Sequence, residues 1–144
     1  MSEANPPTAE GPSNMSEANP LTRSQTWIWA GQQLLPTSPM NNMAFTFAVG
    51  QVEEASFVAA IHQLIGACEA MQLRFTEKDG EPIQYLTGDL TPVVEVVGNF
   101  AGGTTEIVAW CTERCATTSF SLDGKLYDTA LIRGSDGQYL WYLN

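Results

Sequence analysis

The sequence predicts an α+β fold, with helices packed on one face of a mixed sheet. Two observations lead to it. Stretches with apolar residues three and four apart alternate with short runs of period two, in the order helix, strand, helix, hairpin, strand, helix, hairpin. Gly, Pro and Asp mark the joints between them. Such an order sets one layer of helices on a sheet. The 144 residues, 44% of them hydrophobic, suffice for one domain or a piece of a larger one. A chain of this size buries roughly 70% of the surface its unfolded form exposes.

Residues 1–20 stand apart. They hold four of the eight prolines, no aromatic residue and no Ile, Leu or Val. That composition predicts a disordered segment, because burial cannot offset ordering. Met-Ser-Glu-Ala-Asn-Pro occurs at 1–6 and again at 15–20. One such duplication is no solenoid. Residues 21–144 form the predicted globular part.

Thr22-Arg23-Ser24-Gln25 reads as a capping box. The helix behind it carries Trp27, Ile28, Leu34 and Leu35 and stops before Pro36. Trp27 and Trp29 read as core packing. Met43–Val49 alternates as a strand. Glu53–Cys68 is the strongest helix, with Phe57, Val58, Ile61, Leu64, Ile65 and Cys68 on one face. Leu73–Glu77 and Glu81–Leu86 form a hairpin over Lys78-Asp79-Gly80. Val93–Val97 is a further strand. Gly102-Gly103-Thr104 opens a helix with Ile107, Val108, Cys111 and Cys115 inward. Leu126–Arg133 and Gln138–Leu143 make the last hairpin. Tyr139 to Leu143 are apolar on both faces, as in a strand covered on both sides.

Composition excludes several functions. Six basic against sixteen acidic residues give a net charge of −10, and Arg23, Arg74, Lys78, Arg114, Lys125 and Arg133 are scattered. Nucleic-acid binding needs clustered positive charge, and so does docking on an anionic membrane. No apolar run approaches the roughly 18 residues of a membrane helix. The N-terminus lacks the basic and apolar regions of a signal peptide, which predicts a cytoplasmic protein. Three cysteines with no secretory context predict no disulfide framework.

Candidate chemistry is sparse. His62, the one histidine, reads as a polar or boundary helix position. Cys111 and Cys115 share a helix face without the second pair that structural zinc wants, and read as buried thiols. Gly102-Gly103 reads as a helix start rather than an anion cradle. Asp79, Glu81, Asp123 and Asp128 read as solvated acids beside turns. No catalytic constellation, directly bound cofactor or metal site emerges.

A resemblance adds to this reading. Leu21–Trp29 resembles the first motif of nonribosomal peptide synthetase condensation domains, Ser-x-Ala-Gln-x-Arg-Leu-Trp. Thr22, Gln25, Ile28 and Trp29 stand for its Ser, Gln, Leu and Trp, and Trp27 replaces its Arg. Gln32–Pro39, with Asn42 beyond, is similar to the segment that follows. Phe57–Phe75 resembles the second motif, Arg-His-Glu-x-Leu-Arg-Thr-x-Phe. Glu69, Met71 and Phe75 keep register, whereas Ala67, Cys68 and Gln72 replace Arg, His and Arg. Asp79–Gln84 continues as such domains do, and Ser119–Leu122 with the last hairpin resembles the approach to the third motif.

The resemblance implies the N-terminal lobe of a chloramphenicol acetyltransferase-like fold. The parent enzyme would join acyl and aminoacyl thioesters on the phosphopantetheine arms of carrier proteins. Gln72 could not make the charge-assisted pair that the family's second Arg makes. The chain stops at Asn144, short of where His-His-x-x-x-Asp-Gly would follow. The resemblance thus implies a fragment that is inactive alone, with carrier proteins and a C-terminal lobe as partners, and with an exposed edge strand prone to aggregation. A coenzyme A-dependent acyltransferase of the same fold, or a non-catalytic acidic interaction module, would share the layout.

Overall fold

The computed structural model describes residues 16–88, 94–98 and 100–144. The elements are β1 (Ser16–Pro20), α1 (Arg23–Leu34), β2 (Phe45–Gly50), α2 (Glu54–Ala67), α3 (Glu69–Gln72), β3 (Leu73–Lys78), β4 (Glu81–Leu86), β5 (Glu95–Val97), α4 (Thr104–Thr117), β6 (Thr129–Arg133) and β7 (Tyr139–Leu143). The predicted order is present, with β1 and the short α3 added. Val93, expected in the fifth strand, lies outside the described residues.

The strands form two sheets, β1-β4-β3 and β2-β7-β6-β5. The larger is mixed: β5 runs parallel to β6, and the other neighbours are antiparallel. β7 therefore lies inside its sheet, and the edges are β2 and β5. Thr46 pairs with Tyr142 on one side and Ala130 pairs with it on the other, so the exposed edge expected of a fragment falls on β2, where Phe45 and Phe47 are exposed.

Alternation along β6 and β7 sorts the core into two faces. Ala130, Ile132, Leu140 and Tyr142 meet Ile107, Trp110 and Cys111 of α4. Trp141 and Leu143 meet Phe57, Ile61 and Ile65 of α2, together with Met71 and Tyr127. A mixed sheet in an α+β layout is thus borne out, but α2 and α4 cover opposite faces rather than forming a single layer. The both-sided apolar pattern of β7 is the local trace of that sandwich.

Three local expectations need correction. Residues 16–20 form a strand rather than part of a disordered segment, while 1–15 lie outside the described residues. The composition argument counts apolar burial, yet an edge strand needs only backbone partners, and β4 supplies them at Ser16↔Leu86 and Pro20↔Ile83. Gln84 Nε2 also donates to the Pro20 carbonyl at 3.0 Å. Second, Trp27 and Leu34 on α1 are 74% and 81% exposed, and Ile28 and Leu35 are exposed as well. The helix forms, but only Gln32 on it is buried. Third, Leu64 on α2 and Val108 on α4 point outward, one position off each buried stripe.

The turns follow their chemistry. Asp79 (φ 53°) and Gly80 (φ 81°) both take left-handed backbone, as a two-residue type I′ hairpin loop requires. Helix α2 begins on Glu53, whose carboxylate accepts from the Ala55 and Ser56 amides at 3.1 and 2.7 Å. Bonds from the Ser56 side chain and from those two amides hold the Glu53 carboxyl below its usual range.

Candidate functional site

The first-motif positions build one end of α1. Thr22 Oγ1 accepts from the Gln25 amide at 3.3 Å, and Gln25 Oε1 accepts from the Thr22 amide at 2.8 Å, closing the predicted capping box. Gln25 Nε2 then donates to Gln84 Oε1 at 2.8 Å, tying α1 to β4. One turn on, half-buried Trp29 lines a cavity of about 530 Å³. Phe75 of the second motif lines it too, with Ser119 to Asp123 closing another side. The Phe75 amide donates to the Leu122 carbonyl at 2.8 Å, which pins that loop to β3. The structure thus brings Trp29 and Phe75 to one cavity, and leaves Ile28 exposed.

The remaining second-motif positions serve the joint between α2 and α3. Glu69 is exposed in the first turn of α3, and Met71 packs against the α2 face. Gln72 Nε2 donates to the Gly66 carbonyl at 2.8 Å and to the Ile65 carbonyl at 3.4 Å. These are among the last carbonyls of α2, which lack i+4 partners within the helix, and the Cys68 amide also donates to Ile65 at 3.3 Å. A neutral amide therefore has a helix-closing role at Gln72.

Residue-by-residue reading misses an ionic cluster. Arg114 Nε and Nη2 hold the two Asp128 carboxylate oxygens side-on at 2.5 and 2.7 Å, and Nη1 reaches Glu95 at 2.6 Å. Asp128 is therefore a half-buried ion-pair partner and not one of the solvated turn acids expected. Its bonds, then those from Glu95, hold the Arg114 proton far more tightly than usual. The Arg114 guanidinium also lies over the Trp110 ring, 4.8 Å from its centroid. Tyr142, fully buried beside this cluster, has its phenol pushed up to about 12, chiefly by desolvation.

Other candidates resolve simply. His62 is exposed on α2. Cys111 and Cys115 are half-buried free thiols that line an apolar groove of about 550 Å³ between α4 and β2. Burial pushes the Cys111 thiol up, away from reactive thiolate. No group of three or more metal-ligating side chains occurs among the described residues. The amide of Gly102 is occupied by the chain's own Glu106 carboxylate at 2.8 Å. Trp27, far from core packing, lies at the surface. No described helix is long and apolar enough to cross a membrane.

Comparison with known proteins bears on the motifs. No family model matches the sequence. The isonitrile lipopeptide synthase of Streptomyces coeruleorubidus is 30% identical over 143 residues, covering 92% of this chain and 9% of that protein. The dimodular nonribosomal peptide synthase of Bacillus subtilis is 28% identical over 125 residues, covering 85% of this chain and 5% of that protein. Among solved structures, the starter condensation domain of rhizomide synthetase matches with a TM-score of 0.75 and 30% identity, over 89% of this chain and 32% of that one. A condensation domain of the calcium-dependent antibiotic synthetase, 24% identical, shares the fold with a TM-score of 0.77. The chain thus spans less than a tenth of its curated relatives and about a third of the solved domains. Sequence and fold together match it to the condensation domains of nonribosomal peptide synthetases, of whose solved domains it spans about a third.

Proposed function

We propose that this chain contributes one lobe of an enzyme that joins two carrier-bound thioesters. The donor's acyl group would pass to the amine, or hydroxyl, of the acceptor, forming an amide or ester. The observation that carries this reading is the shared fold with the rhizomide starter condensation domain over 89% of the chain. The convergence of Trp29 and Phe75, one from each matching motif, on one cavity supports it.

The chain's own residues would frame the reaction and not perform it. The sequence contains one histidine, exposed on α2, and no His-His-x-x-x-Asp-Gly. A general base within reach of an amine must then come from the rest of the domain. Carrier proteins would be the partners, presenting substrates on phosphopantetheine arms, and the chain alone would be inactive.

A graft tests this. Residues 21–144 replace the equivalent segment of the rhizomide starter domain, and amide formation is followed by mass spectrometry. The substrates are C8-CoA and Leu-SNAC, the pair crystallised with a variant of that domain. Product from the graft and none from the chain alone is the expected result. A folded graft that makes no product, beside a parent domain that does, would overturn the reading.

A further inference from the structure

Of the six Lys and Arg residues, only Arg74 is buried, at 8% exposure. It lies on β3 opposite Tyr85, and its charge reaches the phenol of Tyr127. Its Nη1 donates to the carbonyls of Leu73 at 2.7 Å and Met71 at 3.1 Å. Nε and Nη2 have no acceptor and no carboxylate partner among the described residues. A buried cation without a counter-ion is costly.

That free edge is not sealed in. Among the described residues, the enclosed side-chain polar atoms without partners are Tyr142 Oη and the two amide atoms of Asn144. The Arg74 nitrogens are not of that class, so Nε and Nη2 are not fully enclosed. The chain also shows what such an edge holds. On Arg114 the same two atoms, Nε and Nη2, grip the two oxygens of Asp128. Two parallel N–H bonds match the spacing of a carboxylate, and a lysine ammonium cannot reproduce them.

The geometry points to the Nε–Nη2 edge of Arg74 as a binding site for a carboxylate, from either a free carboxylate ligand or an acidic side chain of another polypeptide segment. This inference is independent of the proposed condensation role.

Thermal unfolding of the full chain tests it, in sodium chloride, sodium formate and sodium phosphate at matched ionic strength. Formate should raise the midpoint saturably above chloride by several degrees, and the increment should vanish in both Arg74→Met and Arg74→Lys. Should Arg74→Met fail to fold, Arg74→Lys carries the comparison, since it keeps the charge and loses the fork. Equal midpoints in formate and chloride, phosphate outperforming formate, or an increment that survives in Arg74→Lys would each overturn the site. N-acetyl-aspartate amide distinguishes the sources. A larger increment than formate assigns the site to a polypeptide side chain, and a smaller one to a free carboxylate.

Discussion

Arg114 is the residue on which three segments depend. Its guanidinium joins α4 to Asp128 before β6 and to Glu95 at the start of β5. Replacing it by Met would leave Asp128, only 14% exposed at its side chain, with no counter-charge. We expect Arg114→Met to cost about 2 to 3 kcal/mol, below the figure for a fully buried pair because Glu95 stays half in water. A lowered urea midpoint at unchanged slope is the readout. Adding Asp128→Asn should recover part of the loss, since the stranded charge goes with it. An additive double variant would refute the pairing as the cause. None of this was legible from spacing: Asp128 looked like any acid near a turn. Arg74 was equally hidden, because a basic residue in a short strand reads as surface until its pairing partners are known.

At the scale of elements, local signals carried far. The capping box, the α2 stripe and the hairpin turn are written in neighbouring residues. The capping box forms as read, the α2 stripe loses Leu64 to solvent, and the turn tightens to Asp79-Gly80 as Lys78 pairs with Glu81. Gly80 offers a clean test. Open space surrounds the position where a Cβ would stand, so Gly80→Ala is penalised by its φ of 81° alone. A loss of about 1 kcal/mol in thermal or chemical unfolding is expected, with Gly80→Asn much closer to wild type. A neutral Gly80→Ala would mean that the loop relaxes to another turn. What local pattern could not supply was the covering of each face. The apolar spacing of Trp27, Ile28, Leu34 and Leu35 specifies a helix but not a partner, and these side chains stand in solvent. The number of sheets, and the face each helix takes, depends on pairings between residues far apart in sequence. The edge strand at 16–20 escaped for a related reason, since backbone pairing leaves no mark in composition.

The molecule as a whole opposes two tendencies. Phe45 and Phe47 are exposed on the edge strand β2, with Met40 and Met43 just before it. An open, apolar edge invites pairing with another chain, while a net charge of −10 keeps copies apart. Salt shortens the reach of that repulsion from about 10 Å at 0.1 M to about 3 Å at 1 M. Light scattering should therefore show a monomer at low salt that self-associates as salt rises, with Phe45→Lys and Phe47→Lys suppressing the effect. A salt-independent monomer would show that the edge is protected. The inner position of β7 has a consequence for the order in which this protein can be made. Phe45 must wait for Leu143, and Thr129 waits for the same residue. During synthesis the β3–β4 hairpin can close as soon as it emerges, but β2 and β6 have no neighbour between them until the chain has been extended through Leu143. Such late, long-range closure is slow, and its intermediates are exposed to aggregation. The larger sheet is thus built from its edges inward, and its centre arrives last.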